Sequence, residues 1–460
     1  MPLPPVFWHR VPLELARWLL VLIILAVAWP IGMVRAGAQD VFVWAAGQVG
    51  VLAAGGWLLC RRKPRVPWFV YSLPVLLLGF GWACLAFPRA YFDPDLLLLI
   101  PLPRQVPPWV GGTVDAAATW RKMLLISAYA VLFLVAGDAA SSRRWRGRLA
   151  GTLALAAGAV AAYGLYQKAA GAPNIYWWPG LPLNSTFFGP FVYHGNAASF
   201  LVAGLPFALG LTFLALRQTG GGGRKILWCL VSLTIVTALL VNTSRAGVWL
   251  AIAVVVVAGA REGLRHWSGS DPLFRGRLIL TGVLAVGGVC LLGVAFGWEK
   301  ALGRSSVESL TAGFEERSQA PRDALPAAAD AGWCGFGPGS FRSVFPGYRD
   351  DYDPWVTVTI WRHLHNDPIQ TVIEWGWLGA AGWVLLLGLL ARHGYKRAAA
   401  TSAGSGSRVI MEAAGLSFVA VFLHSMVDFP FQIPAIAAVM AVGAGLLASQ
   451  PETRGSFVEG

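Results

Sequence analysis

Two histidines stand two residues apart in the stretch WRHLHNDPIQTVIEWGWLG, residues 361–379. An imidazole titrates near neutral pH, which gives His365 the character of a general base at the water-facing end of a helix; a capping or interfacial histidine is the alternative. The helix should begin at Pro368, with Asp367 placed to cap it. His363 and His365 together have a spacing that suits a metal, but no second cluster supplies further ligands. Glu374 falls inside the apolar run that follows. A carboxylate there needs a partner, and an arginine is the natural one.

Arginines supply the second chemistry. Arg245 sits in VNTSRAGVWL between two apolar runs. Its planar guanidinium suits a bidentate clamp on phosphate, while the simpler reading is an interfacial arginine that snorkels and marks a helix end. Arg317 and Arg322 precede GFGPGSF across an Ala-rich stretch of helical character. Gly335, Gly337 and Gly339 either let backbone N–H groups approach an anion or form a tight turn, and no GK[ST] completes a nucleotide loop. Tyr193, His194 and Asn196 open another apolar run, with Asn196 a candidate cap. His424 and Asp428, four residues apart on one helical face, read as a proton relay or a local structural hydrogen bond.

These residues must be positioned by membrane helices. The chain has 460 residues, of which 56% are hydrophobic and 13% charged, with a mean hydropathy of +0.59. A soluble domain carries roughly 25% charged residues, so a soluble enzyme, a disordered regulator and a fibrous repeat are excluded. The net charge of +13 is a matter of topology rather than of nucleic acid, because Lys and Arg collect in cytoplasmic loops. The five cysteines form no CxxC pair and frame neither disulfides nor zinc. Runs of about 20 apolar residues predict an all-α polytopic fold of about twelve spans: 16–34, 41–60, 67–87, 121–138, 149–169, 196–216, 225–243, 245–260, 278–297, 369–391, 409–427 and 431–449. Basic clusters such as Arg61, Arg62, Lys63 and Arg65 fill every even-numbered gap, so both termini are expected in the cytoplasm. The expected organisation is 1–184 for spans one to five and 185–297 for spans six to nine with the Arg245 turn. A large extracytoplasmic loop then covers 298–368, with a short helix near 317–331. Residues 369–450 carry the last three spans, and 451–460 form a cytoplasmic tail. A loop of that length is usually functional. The other long outer segment, 88–120, is rich in Pro and Leu and is expected to lie partly on the membrane surface.

Taken in order, FGPFVYHGN, TSRAG, an arginine about eighteen residues before GFGPGSF, HNDPIQTVIEWG and HSMVDFP resemble the motifs of the O-antigen ligase and Wzy-type polymerase superfamily over roughly 185–440. The spacing matches Arg317 better than Arg322 to the loop arginine, and the chain departs from the pattern at Pro321 and Ala246. The resemblance implies an enzyme of the bacterial inner membrane with a periplasmic site. It would transfer a glycan from undecaprenyl diphosphate to an acceptor hydroxyl (of another glycan or of lipid A–core), with no metal and no cofactor. His365 would be the base; Arg245 and Arg317 would stabilise the leaving diphosphate. Asn196, Arg322, Asn366 and Glu374 are further candidates for holding substrate or supporting the site. The rival reading is a lipid-linked glycan flippase, which would keep its polar residues near the bilayer midplane; here they gather at one face.

Overall fold

The computed structural model describes residues 5–29, 65–93, 98–102, 111–177, 186–267, 319–348, 362–402 and 404–450. The expected spans 41–60 and 278–297, the tail 451–460 and Arg317 lie outside the described residues. The helices are α1 (Pro5–Ala26), α2 (Trp68–Cys84), α3 (Ala116–Ala139), α4 (Arg143–Ala169), α5 (His194–Leu216), α6 (Gly222–Val241) and α7 (Arg245–Trp267). After these come the short α8 (Leu325–Asp330) and α9 (Phe341–Val344), then α10 (Asp367–Ala400), α11 (Gly406–Ser425) and α12 (Pro434–Ala448). Among the described residues, seven helices are long and apolar enough to cross a membrane: α3 to α7, α10 and α11. Other helix edges move from expectation by up to nine residues, the most at the end of α10, and α1 begins well before the expected 16 and ends before 34. The fold is mostly rather than wholly helical. A two-stranded antiparallel hairpin, β1 (Ala90–Asp93) with β2 (Leu98–Pro101), occupies the segment expected to lie on the membrane surface.

Helix α5 is the central post, buried along most of its length and packed by α4, α6, α7 and α11. Small residues permit this. A side chain on Gly204 of α5 would meet the Ala157 Cβ of α4 at 2.2 Å, and one on Gly445 of α12 would meet the Gly137 backbone of α3 at 2.7 Å. Membrane helices associate through such close backbone approach, because lipid offers no hydrophobic drive between them. On the outward faces of α6 and α7, Ile226, Leu230, Trp249 and Val256 are exposed. Apolar side chains of that kind suit contact with lipid chains.

Charge is sorted between the two ends. At one end, basic residues of different even-numbered gaps meet. Arg217 and Arg265 share Glu262, Arg408 and Arg265 share Glu412, and Arg65 donates to Ser141. The polar residues with chemical potential lie at the other end, on the entries of α5, α7 and α10, the exit of α11 and the segment 319–348.

Candidate active site

Helix α10 and its approach hold the centre of the site. Asn366 is the cap, not Asp367: its Oδ1 accepts from Ile369 N at 3.0 Å, and its Nδ2 donates to Met426 O at 2.9 Å. Asp367 instead turns to the segment after α11. It accepts from Phe431 N and from Gln432 Nε2, both at 2.9 Å, while Lys122 donates to Gln432 Oε1. The approach to α10 is thereby tied to α3 and to the exit of α11.

His365 meets Asp428, with Nδ1 to Oδ1 at 3.3 Å. Phe429 and Tyr193 present ring edges to the imidazole at centroid distances of 4.9 and 5.9 Å. The His365 side chain keeps 20% of its surface accessible, whereas Asp428 is buried. Burial alone would push the Asp428 carboxyl up. The adjacent His365, the charge of His424 and the Phe429 N–H at 2.9 Å outweigh it, and the carboxyl sits below its ordinary range. Gly195 makes room for this carboxylate, since a Cβ there would stand 2.2 Å from Asp428 Oδ2. His424 lies 3.9 Å from Asp428, too far for the local hydrogen bond read from their spacing. Its Nδ1 is instead 2.8 Å from Ser199 Oγ on α5.

The two expected histidines differ in kind. His363 packs on Phe429 at 5.3 Å. Burial, with Lys122, Arg362 and His365 nearby, lowers its pKa to about 3, so it stays neutral and is a feeble base. Among the described residues, no group of three His, Cys, Asp or Glu side chains is arranged to hold a metal ion.

The glycine run is not an open anion cradle. Helix α10 breaks at Gly376, whose φ is +67°, and the run 331–337 enters the gap. Phe336 N and Gly337 N donate to the carbonyls of Ile373 and Glu374, each at 3.0 Å. In return, Trp377 N and Leu378 N donate to Gly332 O and Trp333 O, each at 3.1 Å. Four groups of α10 that an unbroken helix would pair in two bonds of its own make four bonds with the loop instead. The approach is so close that a Cβ on Gly335 would stand 2.4 Å from Gly376 N. Gly335 N, Gly339 N and Ser340 N are bonded within the protein as well.

Among the described residues, Glu374 has no arginine partner of the kind expected. Its Oε2 accepts from Gly339 N at 2.9 Å and its Oε1 from Gln370 Nε2 at 2.8 Å. Gln370 Oε1 then takes the N–H of Leu364 at 2.9 Å. One buried carboxylate thus links the glycine turn to the backbone between His363 and His365.

Arg245 opens α7, directly after Ser244, whose Oγ accepts from Gly247 N at 3.2 Å as a helix cap does. Gly247 packs on α5, where its Cβ would meet Ala198 at 2.6 Å, one residue from Ser199. Arg245 therefore shares the end of the bundle that holds His424, Asp428 and His365. Asn196 is the third residue of α5 rather than its cap, and its Oδ1 is buried without a partner. Arg322 is exposed in the helical stretch 319–323, so the segment expected near 317–331 does contain short helices.

Beneath Lys122, Asp367 and Gln432 lies a cavity of about 600 Å³ between α2, α3, α10, α11 and α12. Its wall is almost wholly apolar, with Leu78, Phe133, Trp375, Leu386, Phe418 and Met440 among its residues. Residues 229–384 match the family model Wzy_C, O-antigen ligase. Over this stretch the chain is similar to the O-antigen ligases. No curated protein matches the chain. The O-antigen ligase match takes in the Arg245 turn, the glycine run, His365 and Glu374, and stops before Asp428. It places the chain among glycan-transferring membrane enzymes and gives no support to a flippase. Asp428, Lys122 and Gln370 were missed as partners of the site. The signal for Asp428 was HSMVDFP, read only as a pairing along one helix.

Proposed function

We propose that the protein transfers a glycan from undecaprenyl diphosphate to an acceptor hydroxyl by inverting displacement, on the periplasmic face of the bacterial inner membrane. The observation that carries this reading is the pairing of His365 with Asp428. A carboxylate at Nδ1 holds that nitrogen protonated and leaves Nε2 as the basic atom, the logic of an oriented histidine base. The acceptor hydroxyl gives its proton to His365 and its oxygen attacks the anomeric carbon. The bond from that carbon to the phosphate oxygen breaks, and the diphosphate leaves with the electron pair.

Arg245 and Arg317 stabilise the charge that develops on the diphosphate; a comparable donor is typically worth about 10²–10³ in rate. Base help adds roughly 10²–10⁴. Arg322 and Asn196 serve substrate from the rim and from the entry of α5, while Asn366 and Glu374 hold the His365 approach in place. The apolar cavity accommodates the isoprenoid chain, with Lys122 at its polar end. Metal and cofactor are not required, since the phosphate ester supplies the driving force. The basic even-numbered gaps support cytoplasmic termini and a periplasmic site.

Purified His365→Ala protein should insert and bind lipid-linked donor yet transfer no glycan; transfer at the wild-type rate would remove the base. Deleting the chromosomal copy distinguishes the two acceptor classes. Long lipid-linked chains accumulating without attachment indicate a ligase, and chains of one repeat indicate a polymerase.

A further inference from the structure

Helices α3 and α12 reach the end of the bundle opposite His365 side by side. Beyond the contact of Gly445 with Gly137, one runs on to Ala140 and Ser141 and the other to Ser449 and Gln450. The residues before α2 pack against both: a Cβ on Gly137 would stand 2.6 Å from Val66, and Gln450 N donates to Arg65 O at 2.9 Å. Hydrogen bonds gather three guanidinium groups at this junction. Arg146 Nε donates to Ala140 O at 2.9 Å, Arg65 to Ser141 Oγ at 3.1 Å, and Arg397 of α10 to Ser449 Oγ at 3.2 Å.

All three of these acceptors are neutral. Arg146 is only 5% exposed. Among the described residues, neither Arg146 nor Arg397 has a carboxylate within ion-pairing distance, and the two charges act on one another. The carboxylates of Glu14 and Asp138 serve Arg17, at 2.8 and 3.6 Å. A buried guanidinium without a counter-ion is costly. Helix α4 points the same way on separate grounds. Arg143 and Arg144 fill its first turn, no acidic residue stands there, and Ser142 makes no side-chain cap bond. The positive end of the helix dipole thus faces added cations, where an anion is the favourable neighbour.

The depth of the junction selects the anion. Trp68 opens α2 three residues after Arg65, and Tyr395 precedes Arg397 by two on α10; both rings are exposed. Exposed Trp and Tyr sit at the level of the lipid headgroups. We propose that Arg146 and Arg397, with Arg65 beside them, bind the phosphate of an anionic phospholipid headgroup in the leaflet away from the candidate active site. Basic pockets between spans take headgroups in this way. The headgroup supplies the counter-charge that α4 and α10 lack, and bridges the start of one to the end of the other. Nothing in this assignment depends on the role of His365.

The test is titration of the full chain in detergent micelles with a short-chain phosphatidylglycerol, followed by thermophoresis, with the matching phosphatidylcholine as the zwitterionic control. The wild-type protein should prefer phosphatidylglycerol, and Arg146→Gln/Arg397→Gln protein should bind it about tenfold or more weakly, as expected for losing charge-assisted bonds. Arg397→Gln alone should lose part of the preference, and it carries the test where the buried Arg146 position does not tolerate change. Arg224→Gln/Lys225→Gln protein, which loses the same charge from the gap between α5 and α6, should bind as the wild type does. Phosphatidylglycerol held equally by the wild type and the Arg146 and Arg397 variants would overturn the site. An equal loss in the Arg224 and Lys225 variant would overturn it too, by reducing binding to net charge. Displacement of phosphatidylglycerol by inorganic phosphate at constant ionic strength would overturn the lipid assignment in favour of a soluble anion.

Discussion

Replacing Gly335 with Ala should unlock the loop from α10. Two costs separate cleanly against a control at Gly332. Both glycines have positive φ, +58° at Gly332 and +74° at Gly335, so an L side chain costs about 1–2 kcal/mol at either. At Gly332 nothing lies within 4 Å of the new Cβ, and the cost ends there. At Gly335 the Cβ meets Gly376 N at 2.4 Å and Glu374 O at 2.5 Å, both backbone atoms that cannot turn away. Relief requires the two segments to part by about 1 Å, which lengthens bonds now at 3.0 and 3.1 Å beyond hydrogen-bonding range. Four such bonds at about 0.5–1.5 kcal/mol each add roughly 2–6 kcal/mol. Hydrogen exchange of the intact protein in nanodiscs reads this directly, at the amides of Phe336, Gly337, Trp377 and Leu378. Those four should lose protection in Gly335→Ala protein and keep it in Gly332→Ala protein. Equal protection in the two variants, or equal thermal stability, would refute the interlocking argument.

Asp428→Asn should retain the fold and lower glycan transfer, because the amide no longer enforces the Nδ1–H form of His365; unchanged turnover in a purified assay would dismiss the pair. The depressed Asp428 carboxyl contributes stability above the ordinary carboxylate range and loses it only as pH falls through its lowered value. Thermal scans of Asp428→Asn should therefore differ from wild type at neutral pH and converge in strong acid. His363, at about 3 in the folded protein, binds its proton less readily than the unfolded chain does between that value and 6.5. It thus removes stability as pH drops through that window, and His363→Gln should flatten acid unfolding there. Arg245→Lys should impair transfer strongly, since a point charge does not reproduce the guanidinium fork. A chelator should leave the rate unchanged, and inhibition reversed by a divalent ion would contradict the metal-free reaction.

The membrane helices were legible because a span needs a long apolar run, and α2 to α7 repeat the expected segments within a few residues. His365 stood out as a candidate by residue type beside Pro368, and Asn366 only through the resemblance. Contacts across helices were not. Asp428 belongs to the exit of α11 and His365 to the entry of α10, and nothing in either segment records the other. Glu374 was recognised as a buried carboxylate in need of a partner, but that partner is a backbone N–H at Gly339, which leaves no trace in residue type. The cap fell on Asn366 rather than Asp367 because both residue types can cap, and the choice was made by distant backbone at Phe431. The hairpin of β1 and β2 was hidden by the prolines and leucines around it.

The break at Gly376 also bears on how the chain is assembled. In the broken form of α10 the carbonyls of Ile373 and Glu374 and the amides of Trp377 and Leu378 bond only to 331–337, whereas an unbroken helix would pair them with one another. Stranded backbone groups are penalised in lipid by several kcal/mol apiece. The break at Gly376 therefore forms only when the preceding segment folds back against α10. Formation of the break and the anchoring of Glu374 are thus joined, because the same return places Gly339 against Glu374. A protein stalled before that step would carry every helix and still have no organised histidine.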